Sequence, residues 1–238
     1  METLSHNPEE TTNKPQKLAD ELKAMIPQRQ EMESGRIEAI LQQFGSEQHN
    51  MASVGGIEII GLGNKEQMEA LAPAAKAALD RLQDRFGGRL EAAFPGLKIY
   101  FTDGAINTGG EALADENTII MDASKAAMSV GDVETLLVEM GYLNPGDWTS
   151  KVSPDLSYGE ITIVHEMGHM LEAREYGAEG VGFASLPSET AVTKYDSKAP
   201  NEDYAEAFFY DTYGLDVGSD RKTILERDIG NVTLASAA

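Results

Sequence analysis

One stretch constrains this chain more than any other: Thr162-Ile163-Val164-His165-Glu166-Met167-Gly168-His169-Met170-Leu171-Glu172. On a helix, residues four apart lie nearly above one another, so His165 and His169 can turn their imidazoles toward a single ion. Glu166 sits beside the pair, where a carboxylate reaches a metal-bound water rather than the metal itself. The helix is expected on other grounds too. Ile161, Val164, Gly168 and Leu171 mark a buried stripe adjacent to the histidines without including them, which gives one flank to a core and the other to a cleft. Ser157 followed by Glu160 is a capping-box pattern, and Ser153-Pro154-Asp155 offers a second start. Of the four histidines in the chain, His6 and His49 fall in a polar N-terminal region, so both histidines of the main body belong to this motif.

Composition narrows the ligand set. The 238 residues are 41% hydrophobic, enough for a real core, and contain no cysteine. That excludes disulfides, Cys-ligated zinc and thiol nucleophiles, and leaves His, Asp and Glu as strong ligands. The formal net charge of −21 disfavours nucleic acid and anionic membranes. It serves solubility first; if electrostatics selects a partner, that partner is a basic peptide or protein. Met1 to Lys17 lacks a positive segment followed by an apolar run, and no 18 consecutive residues are apolar. The expectation is a protein without a conventional signal or membrane span: cytoplasmic, virion-associated or delivered by a dedicated machine.

Taken in order, residues 1 to 16 read as a disordered lead-in. A helical pattern runs through Leu18, Leu22, Met25 and Ile26, meets Pro27, and resumes through Ile37, Ile40, Leu41 and Phe44; it can dock on the main body or bind a partner protein. Ser46 to Gly56 reads as a linker, so a disordered and helical extension over 1–56 is expected to precede one domain over 57–238. Within that domain, Ile57 to Ile60 is a strand, Lys65 to Phe86 an amphipathic helix, and Leu97 to Thr102 and Thr118 to Met121 further strands. The last of these follows the loop Thr108-Gly109-Gly110, and Asn117 to Asp122 is the candidate for the strand at the cleft's edge. Asp132 to Met140 is a short helix and Asn144 to Asp147 a turn. The motif helix ends near Gly177, a loop covers Ala178 to Ser188, and a short terminal helix and tail follow Gly214.

Two histidines do not close a catalytic zinc site, which takes three protein ligands plus water. A third histidine six residues on is excluded, because the residues downstream of His169 include Glu172 and Glu175. Asn201-Glu202-Asp203-Tyr204-Ala205-Glu206-Ala207-Phe208-Phe209-Tyr210 supplies a carboxylate instead, with Asn201 as cap and Ala205, Phe208 and Phe209 as a core stripe. Glu202 and Glu206 share a face beside that stripe. One can bind the metal while the other hydrogen-bonds an outer imidazole nitrogen.

Together, His165-Glu166-Met167-Gly168-His169, Tyr195 in the connecting loop, and Glu202-Asp203-Tyr204-Ala205-Glu206-Ala207-Phe208 resemble the anthrax-lethal-factor-like zinc peptidases, a family that includes the Pro-Pro endopeptidases. The resemblance covers about residues 95 to 215. It implies Glu202 as the third ligand, Glu206 remaining the alternative. It also implies Tyr195 as the group that assists the tetrahedral intermediate or the leaving amine, since Tyr195 stands seven positions before Glu202 as the family's tyrosine does before its ligand. The expected fold is an α+β zincin-like domain with a small mixed sheet, the motif helix beneath its edge strand, and a following helix bearing the glutamate. The expected function is a zinc metalloendopeptidase, in which one zinc ion on His165, His169 and Glu202 acidifies its water and Glu166 takes the proton. The competing expectation is a non-catalytic platform of the same fold, such as a phage-particle component or a toxin module.

Overall fold

The structure is a computed structural model that describes residues 36–44, 48–106, 108–139, 141, 143–153, 156–177, 182–183, 186, 192 and 200–235, with the side chains of Phe44, Pro200 and Asn201 outside that description. The N-terminal lead-in, the helical pattern from Leu18 to Ile26 and Pro27 lie outside the described residues. So do Tyr195 and most of the loop from Ala178 to Ser188.

Helix α1 (Arg36–Phe44) precedes a hairpin of β1 (Gln48–Val54) and β2 (Ile57–Leu62). Gly55 and Gly56, both at positive φ, make its two-residue turn, a conformation that side chains resist. Helix α2 (Lys65–Arg85) returns the chain to β3 (Lys98–Thr102) through the single turn α3 (Leu90–Ala93). Asn64 caps α2 by accepting a bond from the Gln67 N–H at 3.0 Å. Then come β4 (Gly110–Leu113), a 3-10 turn at Ala114–Glu116, β5 (Thr118–Asp122), α4 (Ala123–Ala126) and α5 (Val130–Glu139). The last three helices are α6 (Tyr158–Tyr176), α7 (Pro200–Thr212) and α8 (Ser219–Ala235). The result is a mixed α+β fold around one small mixed sheet.

The sheet order is β1-β2-β3-β5-β4; β2, β3 and β5 run parallel, and β1 and β4 run antiparallel at the two edges. Side chains alternate between its faces. Ile57, Ile59, Ile99, Phe101, Ile119 and Met121 join the main core with α2 and α6. Leu62, Tyr100, Leu113 and Ile120 form a second, smaller cluster with Ile37, Ile40 and Leu41 of α1. No helix among the described residues is long and apolar enough to cross a membrane.

Several expectations are corrected. The segment read as a linker contains β1, which pairs along its length with β2 apart from a bulge between Asn50 and Ala52. Its polar alternation is that of an edge strand, and the sheet therefore extends to the N-terminal side of residue 57. Asn117 to Asp122 is not the cleft's edge: β5 is paired on both sides, and all five of its residues are buried. A strand covered on both faces reads as a continuous apolar run, which is the pattern Thr118 to Met121 carries. The edge is β4, which begins at Gly110, a residue the sequence reads as loop. Asn201 lies inside the first turn of α7, which opens on Pro200, a residue suited to that position because its missing N–H is not needed there. The helix after Gly214 is long rather than short.

Candidate metal centre

Helix α6 is the hub. Ser157 caps it as expected, accepting a bond from the Glu160 N–H at 3.1 Å. The return half of the capping box differs, since the Glu160 carboxylate accepts the Tyr213 hydroxyl at 3.0 Å and lies 3.6 Å from Arg81. At the far end Gly177, with φ +77°, lets its N–H reach the Ala173 carbonyl. The single buried stripe was too narrow a reading. Ile163, Met167 and Met170 are buried as well as Ile161, Val164, Gly168 and Leu171, because α6 lies between the sheet and α7. Only a limited arc around the histidines stays open, and His165 and His169 keep 16% and 19% of their side chains exposed.

Helix α7 brings the third donor. A Cβ on Gly168 would stand 2.7 Å from the Ala205 Cα, closer than packed atoms come, so the missing side chain sets how near the two helices lie. At that spacing Glu202 Oε2 is 3.4 Å from His165 Nε2 and 3.7 Å from His169 Nε2. The imidazole rings meet edge to face, 4.9 Å apart. Donors held about 2.0–2.1 Å from a tetrahedral ion stand roughly 3.3–3.4 Å from one another, so little movement is needed to seat one. One donor atom from each of the three residues lies within 4.8 Å of the others; among the described residues this is the group that could hold a metal ion, and it contains Glu202 rather than Glu206.

The buried groups of the centre shift one another's protonation. Burial works against a charged His165, yet the hydrogen bond to Glu202 and the charges of Glu166, Glu206 and Glu202 outweigh it and push the imidazole up to about 10. Glu202 goes the other way: burial favours its neutral form, but the two imidazoles beside it, 3.4 and 3.7 Å away, hold its carboxyl far below the usual range. Burial raises Glu166 despite the nearby His169 and His165, and the charge of Glu202 adds to the rise. A carboxyl with raised proton affinity next to two ligands has the property required of a general base. Glu206, one turn beyond Glu202, is buried, and its charge acts on His165 and on Tyr158.

Several residues at the centre were not anticipated. Strand β4 packs against α6 so closely that a Cβ on Gly110 would stand 2.9 Å from Glu166 Oε1 and 2.6 Å from Thr162 Cγ2. The Glu166 carboxylate accepts a bond from the Ala112 N–H of that strand. Tyr158, Thr162 and Glu166 recur at four-residue steps, and that spacing was the available sign that one side of α6 faces the strand. The Tyr158 ring stacks on Trp148 at 6.2 Å, and its phenol is pushed up to about 12 by burial and by the charges of Glu166 and Glu206, against a hydrogen bond to Thr162.

Behind α7 a buried polar network fixes the pair of helices. Arg221 of α8 meets Asp203 through two hydrogen bonds, of 3.0 and 2.5 Å, with both side chains buried. Asp228, fully buried, accepts the hydroxyls of Tyr176 in α6 and Tyr204 in α7, each at 2.9 Å. Glu172, beyond His169 on α6, accepts the Gly182 N–H at 3.0 Å, and burial pushes its carboxyl up to about 8. Comparisons of the chain with known protein families, with curated proteins and with solved structures return no match.

Proposed function

We propose that this chain is a zinc-dependent endopeptidase with a zincin-like domain, of the kind its likeness to the anthrax-lethal-factor-like peptidases suggests. The observation that supports this most is the convergence of His165, His169 and Glu202 with the Glu166 carboxylate next to them. Two imidazoles and one carboxylate with no thiolate suit zinc, and a zinc ion there supplies Lewis acidity, polarising a peptide carbonyl and acidifying the attacking water.

The chain's own groups do the rest. Glu166 takes the proton of the attacking water and returns it to the departing amine, for which a buried, raised carboxyl is well suited. Among the described residues strand β4 has a partner strand on one side only, so an extended peptide can add along its other side and run past the histidine pair. Tyr195, outside the described residues, keeps the role of stabilising charge on the scissile carbonyl oxygen. The acidic balance of the chain favours a basic peptide as substrate.

The test is cleavage of a peptide library by the zinc-loaded protein, with Glu166→Ala as control. The variant is expected to bind zinc at the wild-type stoichiometry and to lose turnover by about 10²- to 10⁴-fold. Wild-type protein that holds zinc and cleaves nothing would leave the non-catalytic platform as the better reading.

A further inference from the structure

Strand β4 has four residues and, among the described residues, one neighbouring strand. Such a strand holds its place poorly on ladder bonds alone, so its faces decide where it sits. Gly110 and Ala112 face α6: Gly110 lies against Thr162 and Glu166, Ala112 packs on the main core, and its N–H also donates to the Glu166 carboxylate. Glu111 and Leu113 face the opposite way. Leu113 is buried in the cluster it shares with Ile37, Ile40 and Leu41, and Glu111 forms an ion pair with Arg36 at the start of α1. The strand is thus gripped between the helix that carries the histidines and a helix from the N-terminal side of the sheet.

We propose that α1 is a clamp on the substrate edge: through Arg36–Glu111 and the Ile40–Leu113 cluster it sets the position of β4 over the metal centre. Arg36 and Ile40 are therefore positioning residues, acting on peptide binding and not on metal binding. The three donors lie on α6 and α7, neither of which contributes a described residue to the cluster that α1 shares with the sheet. Whatever lifts α1, whether a partner protein or a change in the preceding residues, slackens the edge while the centre stays assembled. The kinetic part rests on the peptidase reading; the clamp itself does not.

The experiment uses the full chain loaded with zinc and compares wild type, Arg36→Glu, Ile40→Ala, Glu111→Arg and the Arg36→Glu/Glu111→Arg exchange. Amide hydrogen exchange at Ala112 and Leu113 is expected to quicken about fivefold in Arg36→Glu, in line with a half-buried surface ion pair. In Ile40→Ala it should quicken about tenfold or more, in line with a truncated core residue. Amides of α6 and the zinc stoichiometry should hold. For a cleaved peptide, KM should rise about threefold with kcat little changed, and the exchanged pair should return both readouts toward wild type. The Arg36→Glu effect should shrink at high salt, and the Ile40→Ala effect should not. Unchanged exchange in β4 in all three single variants overturns the proposal, as does equal quickening throughout the sheet and α6, the mark of general loosening. If wild type cleaves no peptide, the peptidase reading fails on its own, and hydrogen exchange still decides the clamp.

Discussion

His165 carries the clearest single-residue consequence. Its imidazole is pushed up to about 10 against an ordinary value of 6.5, so at neutral pH it holds a proton that a ligand must give up. Zinc binding at pH 7 should therefore release a proton, and affinity should climb by up to about tenfold per pH unit until the pH passes that value. Calorimetry in buffers of different ionisation enthalpy measures the release; a pH-independent affinity between 6 and 9 would contradict it. Gly168 matters by what it lacks. Gly168→Ala places a methyl against the Ala205 backbone, so α7 must move off α6 and carry Glu202 from the histidines. The expected result is a loss of about 1–3 kcal/mol in stability, typical of overpacking, together with weaker zinc binding, read by thermal unfolding and zinc titration.

Among the elements, α8 holds α7 in place without supplying a ligand. Removing one partner of a buried ion pair strands the other, so Asp203→Ala should cost about 3–5 kcal/mol, measured by denaturant unfolding. Much of this layer could be read from residue spacing. The histidine helix, the glutamate helix and the α2 stripe of Met68, Leu71, Ala75, Leu79 and Leu82 appear where periodicity puts them, because long amphipathic or motif-bearing segments repeat their signal over several turns. The edge strand was not legible. Gly110-Glu111-Ala112-Leu113 is short and opens on glycine, and it becomes a strand because β5 pairs with it and α6 packs beneath it, both long-range effects. β1 was missed for a related reason: Gln48 to Val54 is polar enough to pass for a linker until β2 is beside it.

Across the whole molecule, a bound ion would join two helices that the chain otherwise connects through residues 177–199. Binding only to the folded state adds stability by mass action, about 2.7 kcal/mol at a hundred times Kd. For a chain of this size that corresponds to a rise in Tm of roughly 5–10 °C, which a chelator should reverse. A melting point indifferent to both zinc and chelator would argue against a site that spans the two helices.

The network behind α7 gives the centre an order of assembly. Both imidazoles are made before Glu202, and Asp228, which accepts the Tyr176 and Tyr204 hydroxyls, comes later still. A polypeptide growing on the ribosome therefore carries two donors before the third, Glu202, is made, and the contacts that pin the glutamate-bearing helix form only once Asp228 follows. On the peptidase reading proposed above, the site cannot close on the ribosome before Glu202 and the Asp228 that anchors its helix have both been made.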